Sequence, residues 1–260
     1  MVFEKVALKQ EEFRRIFPEE QMTVNKRQEG SALVEPHPIH KIIRSRRRTV
    51  ELQVTSEAHL IVRVPHKMPL GTVHELVRQK LPWILRKQDF ARTHCAPAVP
   101  KRFFSGEKFQ YLGEAYGLSV VPGAYGPLVF KENGFFLREG CVSLAKWLFR
   151  DWYRERAGEF LTARVRHYTG LTGASYLRVG ISNAAGRWGS CSAKGVLNFS
   201  WRLMMAPREV VDYVVVHEVV HLEELNHSKR FWQKVKALMP DYQSAQRWLV
   251  LHHHSLHNSL

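Results

Sequence analysis

Four residues in the last fifth of the chain have the types and spacing of a hydrolytic metal site. Positions 216 to 227 read Val-His-Glu-Val-Val-His-Leu-Glu-Glu-Leu-Asn-His. His217 and His221 are four residues apart, so on an α-helix both imidazoles lie on one face and can bind one ion. Glu218 lies one step further round the helix, where it can reach a water on that ion without being a ligand. The spacing therefore predicts a zinc-dependent hydrolase in which Glu218 activates the zinc-bound water.

The third ligand has three candidates. His227 follows the predicted helix end, where a chain reversal at Asn226 can bring its ring back to the metal. Three neutral imidazoles and one water make the open tetrahedral site of catalytic zinc. Glu224 lies on the same helical face as the two histidines, and Asp241 is another carboxylate downstream. We favour His227 as the ligand and Glu224 as a residue that orients an imidazole, although a solvated acid near a helix end also explains Glu224.

The surroundings of the motif strengthen this interpretation. A chain with 14 histidines contains His-Glu-x-x-His by chance with a probability on the order of a few per cent, so the bare pattern is only moderately specific. The helix around it is strongly apolar, and burying two histidines and a glutamate there without partners would cost roughly several kcal/mol. A bound metal removes that cost. A metal site therefore explains the pattern better than the histidines of an ordinary core do.

Two further segments are candidates for contact with the substrate. Trp188, Gly189 and Ser190 precede the metal helix in a segment whose exposed edge could bind an extended peptide by backbone pairing. Its glycines would allow the close approach of another backbone, although an ordinary hairpin that turns at residues 193–195 also explains the segment. Tyr242 is a candidate donor to the oxyanion, and a buried tyrosine packed on the last helix is the simpler alternative. Cys191 has no evident base, which argues against a cysteine nucleophile.

Composition limits the partners and the compartment. The formal charge of +15 and the pI of about 10 favour contact with polyanions such as nucleic acid. The basic run at residues 41–48 is either a polyanion patch or targeting signal, or a solvated strand edge. No apolar run could span a membrane, and the first residues lack the pattern of a signal peptide. Three cysteines without a Cys-x-x-Cys pair favour a reducing compartment, so we predict a cytoplasmic protein without membrane contact. No motif specifies an oligomeric state.

The spacing of apolar residues predicts an α+β protein. Residues 1–38 are charged and irregular and read as an extension or linker, with a short helix over Lys9–Phe17. Residues 39–140 form a β-rich domain, with a hairpin, one helix and a small antiparallel sheet. Residues 141–260 form the zinc-metallopeptidase-like domain of helices on a short sheet. The predicted elements are strands at 49–54, 60–64, 176–181 and 186–203, and helices at 72–87, 143–168, from 207 to about 226, from Ser228 and from Asp241.

Several short blocks resemble the YgjP-like metallopeptidase family, a compact relative of the gluzincin proteases. Besides the His-Glu-x-x-His helix, the blocks are Arg44–Thr49, Trp83–Leu85, Tyr111–Glu114, Arg187–Ser192, Asn198–Leu203, Asn226–Ser228, Phe231–Trp232 and Pro240–Tyr242. The resemblance extends over residues 39–251 and implies a minimal gluzincin-like catalytic domain behind a β-rich part. It also implies zinc held by His217, His221 and His227, with Glu218 as the general base. The resemblance does not settle the substrate, for which we predict a peptide or protein.

Three functions are compatible with this resemblance and with the residues. The first is a zinc metallopeptidase, which includes a DNA-associated protease like the SprT-like proteins. The second is a metal-dependent nucleoside triphosphate pyrophosphatase that uses the same site, although the chain has no phosphate-binding glycine loop of the Walker type. The third is a nucleic-acid-binding module with a structural zinc. Glu218 argues against the third, because a structural site needs no base and closes its fourth position with a protein ligand.

Overall fold

The computed structural model describes residues 39–46, 50–55, 57–94, 100–123, 126–184, 186–257 and 260. Contacts between residues divide the described part of the chain into two compact units, one made of the described residues up to 94 and one made of those from 100 onward. Both units combine helices with strands, which confirms the α+β class. The predicted linker at 1–38, with its helix over Lys9–Phe17, lies outside the described residues. The predicted domain border near residue 140 stays a prediction, and the two units divide the chain earlier, between residues 94 and 100.

The first unit is a three-stranded sheet followed by two helices. Its elements are β1 (Ile39–Ser45), β2 (Glu51–Val54), β3 (Leu60–Pro65), α1 (Leu70–Gln79) and α2 (Leu81–His94). The strand order is β1-β3-β2, and the predicted hairpin of β2 and β3 is confirmed by their antiparallel pairing. Alternate residues of β3 pack with α1 and α2 in one apolar core, made by Leu60, Val62, Val64, Val73, Val77 and Ile84.

Two sequence predictions change in this unit. The single helix predicted for residues 72–87 is wrong, because two helices meet at Lys80. Pro82 lies in the first turn of α2, where its missing N–H costs no helical hydrogen bond. In the basic run, the Arg44 guanidinium donates hydrogen bonds to the carbonyl oxygens of His66 (2.9 Å) and Met68 (2.7 Å). At least this arginine is engaged within the fold.

The second unit begins with a four-stranded sheet packed on a long helix. The strands are β4 (Lys108–Tyr111), β5 (Glu114–Val121), β6 (Leu128–Lys131) and β7 (Gly134–Arg138), in the order β4-β5-β7-β6. β5 and β7 are parallel, so the prediction of an antiparallel sheet is wrong for that pair. A 3-10 turn (Glu139–Leu144) leads into α3 (Ala145–Thr172), which buries every fourth residue from Ala145 to Val165. Phe149 of α3 stacks on Phe109 of the sheet at 4.0 Å between ring centres.

A second sheet of three strands precedes the metal helix. It consists of β8 (Arg178–Ser182), β9 (Gly189–Cys191) and β10 (Val196–Ser200), in the order β8-β10-β9. A single strand over residues 186–203 is therefore wrong, because the segment ends in a 3-10 helix (Trp201–Met205). The alternative, a hairpin that turns at residues 193–195, is confirmed by the antiparallel pairing of β9 with β10 around Gly195. Gly195 has φ +74°, a left-handed conformation that glycine adopts without strain. The alternation that suggested one strand continues from β10 into the 3-10 helix, and its residues are all buried: Leu197, Phe199, Trp201 and Leu203.

Three helices complete the unit: α4 (Arg208–Val220), α5 (Lys229–Leu238) and α6 (Tyr242–His257). α4 is buried on nearly every side, as its run of valines predicts. It ends at Val220 and not near Asn226, because the next residues close into tighter turns, with the Leu222 N–H donating to the Val219 carbonyl. The predicted cap of α5 is confirmed, since the Ser228 hydroxyl accepts the Phe231 N–H. Among the described residues no helix has the length and apolarity to cross a membrane.

Candidate metal centre

Three histidine rings converge at the end of α4. The Nε2 atom of His217 lies 3.1 Å from that of His221 and 2.9 Å from that of His227, and the last two are 3.2 Å apart. Within the described part of the chain, these three form the one group of three or more histidine, cysteine or acidic residues whose ligand atoms lie within 4.8 Å of one another. Two nitrogens bound to one tetrahedral zinc at about 2.0–2.1 Å are separated by roughly 3.3 Å. The observed triangle is close to that size.

A short loop brings the third ring to the first two. We name residues 221–227, between α4 and α5, the ligand loop. The Asn226 side-chain oxygen accepts the Ser228 N–H at 3.1 Å, and Ser228 caps α5. Within the loop, Nδ1 of His221 lies 2.8 Å from the carbonyl oxygen of Glu224. A carbonyl only accepts, so this contact places the proton on Nδ1 and leaves the Nε2 lone pair facing the other histidines.

Aromatic rings of α5 enclose the cluster. The Phe231 ring lies 4.6–4.8 Å from the rings of all three histidines. Trp232 is stacked against His227, with 5.8 Å between ring centres. These contacts restrict the orientation of each imidazole, and they surround the cluster with groups that offer no competing ligand atom.

Burial keeps the imidazoles of His217 and His221 neutral. The His217 side chain is 1% exposed, and burial lowers its pKa well below the usual value, with the neighbouring His221 and His227 adding to the effect. Burial also lowers the pKa of His221, to about 4. Neutral imidazoles are the form that binds a metal. The three Nε2 atoms converge on one point, and their lone pairs together form a donor set that fits a divalent ion such as zinc.

Glu218 is buried beside this cluster on α4. It is 0% exposed, and neither carboxylate oxygen has a hydrogen-bond partner among the described residues. Burial raises its pKa to about 8, and the charge of Arg187 opposes that rise. A buried carboxylate with this pKa can accept a proton and give it back near neutral pH.

Gly189 lies against the Glu218 carboxylate. A Cβ atom built on Gly189 would lie 2.5 Å from Oε1 of Glu218 and 2.7 Å from its Cγ, far inside van der Waals contact. Position 189 therefore requires a glycine, because any side chain there would overlap the Glu218 carboxylate. The sequence interpretation had assigned this glycine to substrate approach.

Trp188 and Ser190, the other two residues of the predicted substrate segment, differ in burial. Trp188 is only 3% exposed, and its ring packs edge-on against His253 at 5.4 Å, so it belongs to the core. Ser190 is half-buried and its side chain points to the opposite face of β9 from Gly189. β9 pairs with β10 and is the terminal strand of its sheet among the strands that the structure describes.

The remaining candidates lie outside the histidine cluster. The Glu224 carboxylate forms ion pairs with Arg230 (2.8 Å) and Lys234 (3.1 Å), and it is the carbonyl of this residue that contacts His221. Tyr242 is 5% exposed and stacks against Trp232 and Tyr213, so its ring is packed among aromatic side chains. The Asp241 carboxylate accepts the Ser244 hydroxyl at 2.9 Å.

Sequence reasoning missed three charged residues next to the site. Arg187 precedes Trp188 and its charge acts on Glu218, while Arg230 and Lys234 of α5 pair with acids of the ligand loop. In the sequence, Arg187 belongs to the block Arg187–Ser192 that resembles the family, and nothing there indicates a contact with Glu218. Lys234 is eleven residues from its partner Glu223 across a turn, a distance at which the sequence carries no pairing signal.

Comparison with known proteins gives one broad match. A family model described as YgjP-like, metallopeptidase domain, matches residues 48–252. No curated protein matches the chain. Among solved structures, the crystal structure of the metallopeptidase zymogen of Pyrococcus abyssi abylysin aligns with 21% identity and a TM-score of 0.32, covering 35% of this chain and 92% of that one. A likeness that weak carries no argument about the site.

Proposed function

Because the chain belongs to the YgjP-like metallopeptidase family, we propose that it is a zinc peptidase with His217, His221 and His227 as ligands and Glu218 as general base. The family match covers most of the chain and makes the protein a metallopeptidase and thus a hydrolase. The identity of the metal, its ligands and the role of Glu218 are the parts that we add.

The convergence of the three Nε2 atoms carries this proposal. Each pair is 2.9–3.2 Å apart, and Nε2 of His221 has no proton to donate, because the contact with the Glu224 carbonyl places the proton on Nδ1. A divalent ion satisfies all three lone pairs at once. Nitrogen ligands from three imidazoles favour zinc over magnesium or calcium, which prefer oxygen. When bound, such an ion lowers the pKa of a coordinated water and polarises a carbonyl group.

Glu218 supplies the proton transfers. Its carboxylate is buried beside the ligands, and both oxygens are without a partner among the described residues, so they remain available to a water or a substrate. The carboxylate accepts the proton of the attacking water and then donates it to the amine that leaves from the cleaved peptide bond. A pKa raised by burial suits both steps, because the group can hold a proton between them.

The terminal strand β9 supports an extended peptide as substrate. Among the described strands it is the last on its side of the sheet, and a strand in that position can take up one more strand by backbone hydrogen bonds, the mode in which many proteins bind extended peptides. Gly189 of this strand touches the general base. A peptide paired along β9 would therefore have a carbonyl near Glu218. We therefore retain the prediction that Ser190 contacts the substrate. Trp188 is buried and contributes to the packing of the strand.

A comparison of two glutamate variants tests the function. Glu218→Gln should keep one zinc per chain and lower peptide hydrolysis by at least about 100-fold, because the amide cannot take up the proton. Glu209→Gln is the matched control, since Glu209 is an exposed residue on the first turn of the same helix. Casein-derived peptides and nucleoside triphosphates are offered to the same zinc-loaded preparations.

The outcomes separate the candidate activities. Hydrolysis of peptides alone, lost in Glu218→Gln and kept in Glu209→Gln, supports the peptidase. Hydrolysis of nucleoside triphosphates alone would replace it with the pyrophosphatase, and full activity of Glu218→Gln would remove Glu218 from the mechanism. The basic composition gives the DNA-associated alternative its own test, since binding to nucleic acid through phosphates should weaken steeply as salt rises.

A further inference from the structure

The ligand loop is the more exposed side of the metal centre. His217 is 1% exposed within α4, whereas His227 is an exposed residue, and Leu225, two positions before it, is 56% exposed. The apolar core that holds α4 therefore does not enclose the loop that carries two of the three proposed ligands. The rings of His221 and His227 contact Phe231 and Trp232, and polar interactions add to these contacts against the loss of conformational entropy that ordering the loop costs.

A network of four charged side chains joins the loop to α5. The Lys234 amine donates to Oε2 of Glu223 at 2.5 Å and lies 3.1 Å from Oε1 of Glu224. Nε of Arg230 lies 2.8 Å from the same Glu224 oxygen. Hydrogen bonds to Glu223 and then to Glu224 raise the pKa of Lys234, so its charge persists at neutral pH. We call these four residues the charge clamp.

The clamp acts on the backbone that orients a ligand. Glu224 has its carboxylate held by two cations of α5, and its carbonyl oxygen lies 2.8 Å from Nδ1 of His221. Holding the Glu224 side chain restrains the backbone of this residue, and with it the carbonyl that contacts the His221 ring. α5 is itself anchored by Phe231, which is fully buried and contacts all three histidine rings.

We propose that Lys234 is a positioning residue for the metal centre: it ties the ligand loop to α5 so that His221 and His227 keep their Nε2 atoms beside that of His217. This inference rests on the proposed metal centre and extends it to a residue that touches neither the metal nor the substrate. Its consequence is that metal affinity depends on ionic strength. The Lys234 and Glu223 side chains are 29% and 41% exposed, so dissolved ions reach and screen their attraction.

Zinc affinity of the full chain tests the clamp directly. In competition with a chromophoric chelator at low salt, Lys234→Met should bind zinc about tenfold more weakly than the wild type, the size expected when a group that orients a metal ligand is lost. Lys236→Met is the matched control, because Lys236 is an exposed lysine on the same helix that forms no ion pair within the described structure. Lys234→Arg, which keeps the charge, should restore most of the affinity. At high salt the wild type should approach Lys234→Met.

Amide hydrogen exchange of the metal-free protein gives a second measurement that needs neither metal nor activity. Residues 222–227 should exchange several-fold faster in Lys234→Met than in Lys236→Met, while α4 exchanges equally in both. Equal zinc affinity and equal loop exchange in the two variants would overturn the proposal, as would a difference that salt leaves unchanged. A wild type that binds no zinc would contradict the metal centre instead, and the exchange measurement would still decide whether the clamp holds the loop.

Discussion

The two halves of the histidine cluster are held by different forces. His217 and Glu218 belong to α4, whose residues are buried on nearly every side, and the fold would position them whether or not a metal is bound. His221 and His227 stand at the two ends of the ligand loop, which polar contacts and the charge clamp hold in place. In the proposed zinc site, the core would fix the general base and one ligand, and the loop would complete the site.

Replacing one histidine from each half gives the largest expected effects. His217→Ala and His227→Ala should each weaken zinc binding by at least about 100-fold, since each removes one of three protein ligands. Only His217→Ala should also destabilise the metal-free protein, by about 1–3 kcal/mol, because it leaves a cavity in a buried helix. Chelator competition and thermal unfolding of the metal-free variants measure the two effects. Equal melting temperatures for both variants would mean that the two halves are not held differently.

Gly189→Ala should damage catalysis while the ligands stay intact. The added methyl group overlaps the Glu218 carboxylate at 2.5 Å, so the base must move, and peptide hydrolysis should fall by about 100-fold. Zinc content should remain that of the wild type, because the three histidines are untouched. Gly170→Ala provides the control, since a Cβ atom at that position of α3 meets nothing within 4 Å.

The result for Gly189→Ala tests whether the buried half of the site must hold Glu218 in one position. Normal turnover with normal zinc would show that Glu218 tolerates displacement and that the core does not need to fix the base. Loss of zinc together with activity would show that the carboxylate and the ligands move as one unit.

Acid should destabilise the metal-free protein, and this effect is expected to be the smallest. Burial lowers the pKa of His217 and His221 below 6.5, so between that value and about 4 these two side chains bind more protons in the unfolded chain than in the folded one. Glu218, whose pKa burial raises to about 8, has the opposite effect, but with one proton against two. Stability is therefore present above pH 6.5 and is lost as the pH falls towards 4. The melting temperature of the metal-free wild type should drop by a few degrees more from pH 7 to pH 5 than that of His221→Gln. Parallel curves would argue against neutral, buried imidazoles.

The sequence predicts the buried half of the site better than the exposed half. A spacing of four on an apolar helix places His217 and His221 together, and Glu218 follows from the same geometry. The helix end was placed near Asn226, six residues late, because helical propensity does not reveal the tight turns after Val220. His227 was nevertheless the favoured ligand, and a chain reversal brings it back to the cluster.

Contacts between distant segments account for what the sequence could not predict. Gly189 and Glu218 are 29 positions apart, and nothing local in either segment signals that a glycine must leave room for a carboxylate. The single strand predicted for residues 186–203 rests on an alternation of buried residues. That alternation does not stop where β10 ends but continues into a 3-10 helix. The parallel pairing of β5 with β7 likewise depends on the whole sheet and not on either strand.

X-ray absorption at the zinc edge of the loaded wild-type protein tests the central claim most directly. The account predicts three imidazole nitrogens and one light-atom ligand at about 2.0–2.1 Å, and the loss of one imidazole in His227→Ala. A spectrum with a sulfur ligand, or with fewer than three imidazoles in the wild type, would contradict the assignment of His217, His221 and His227 as the metal ligands.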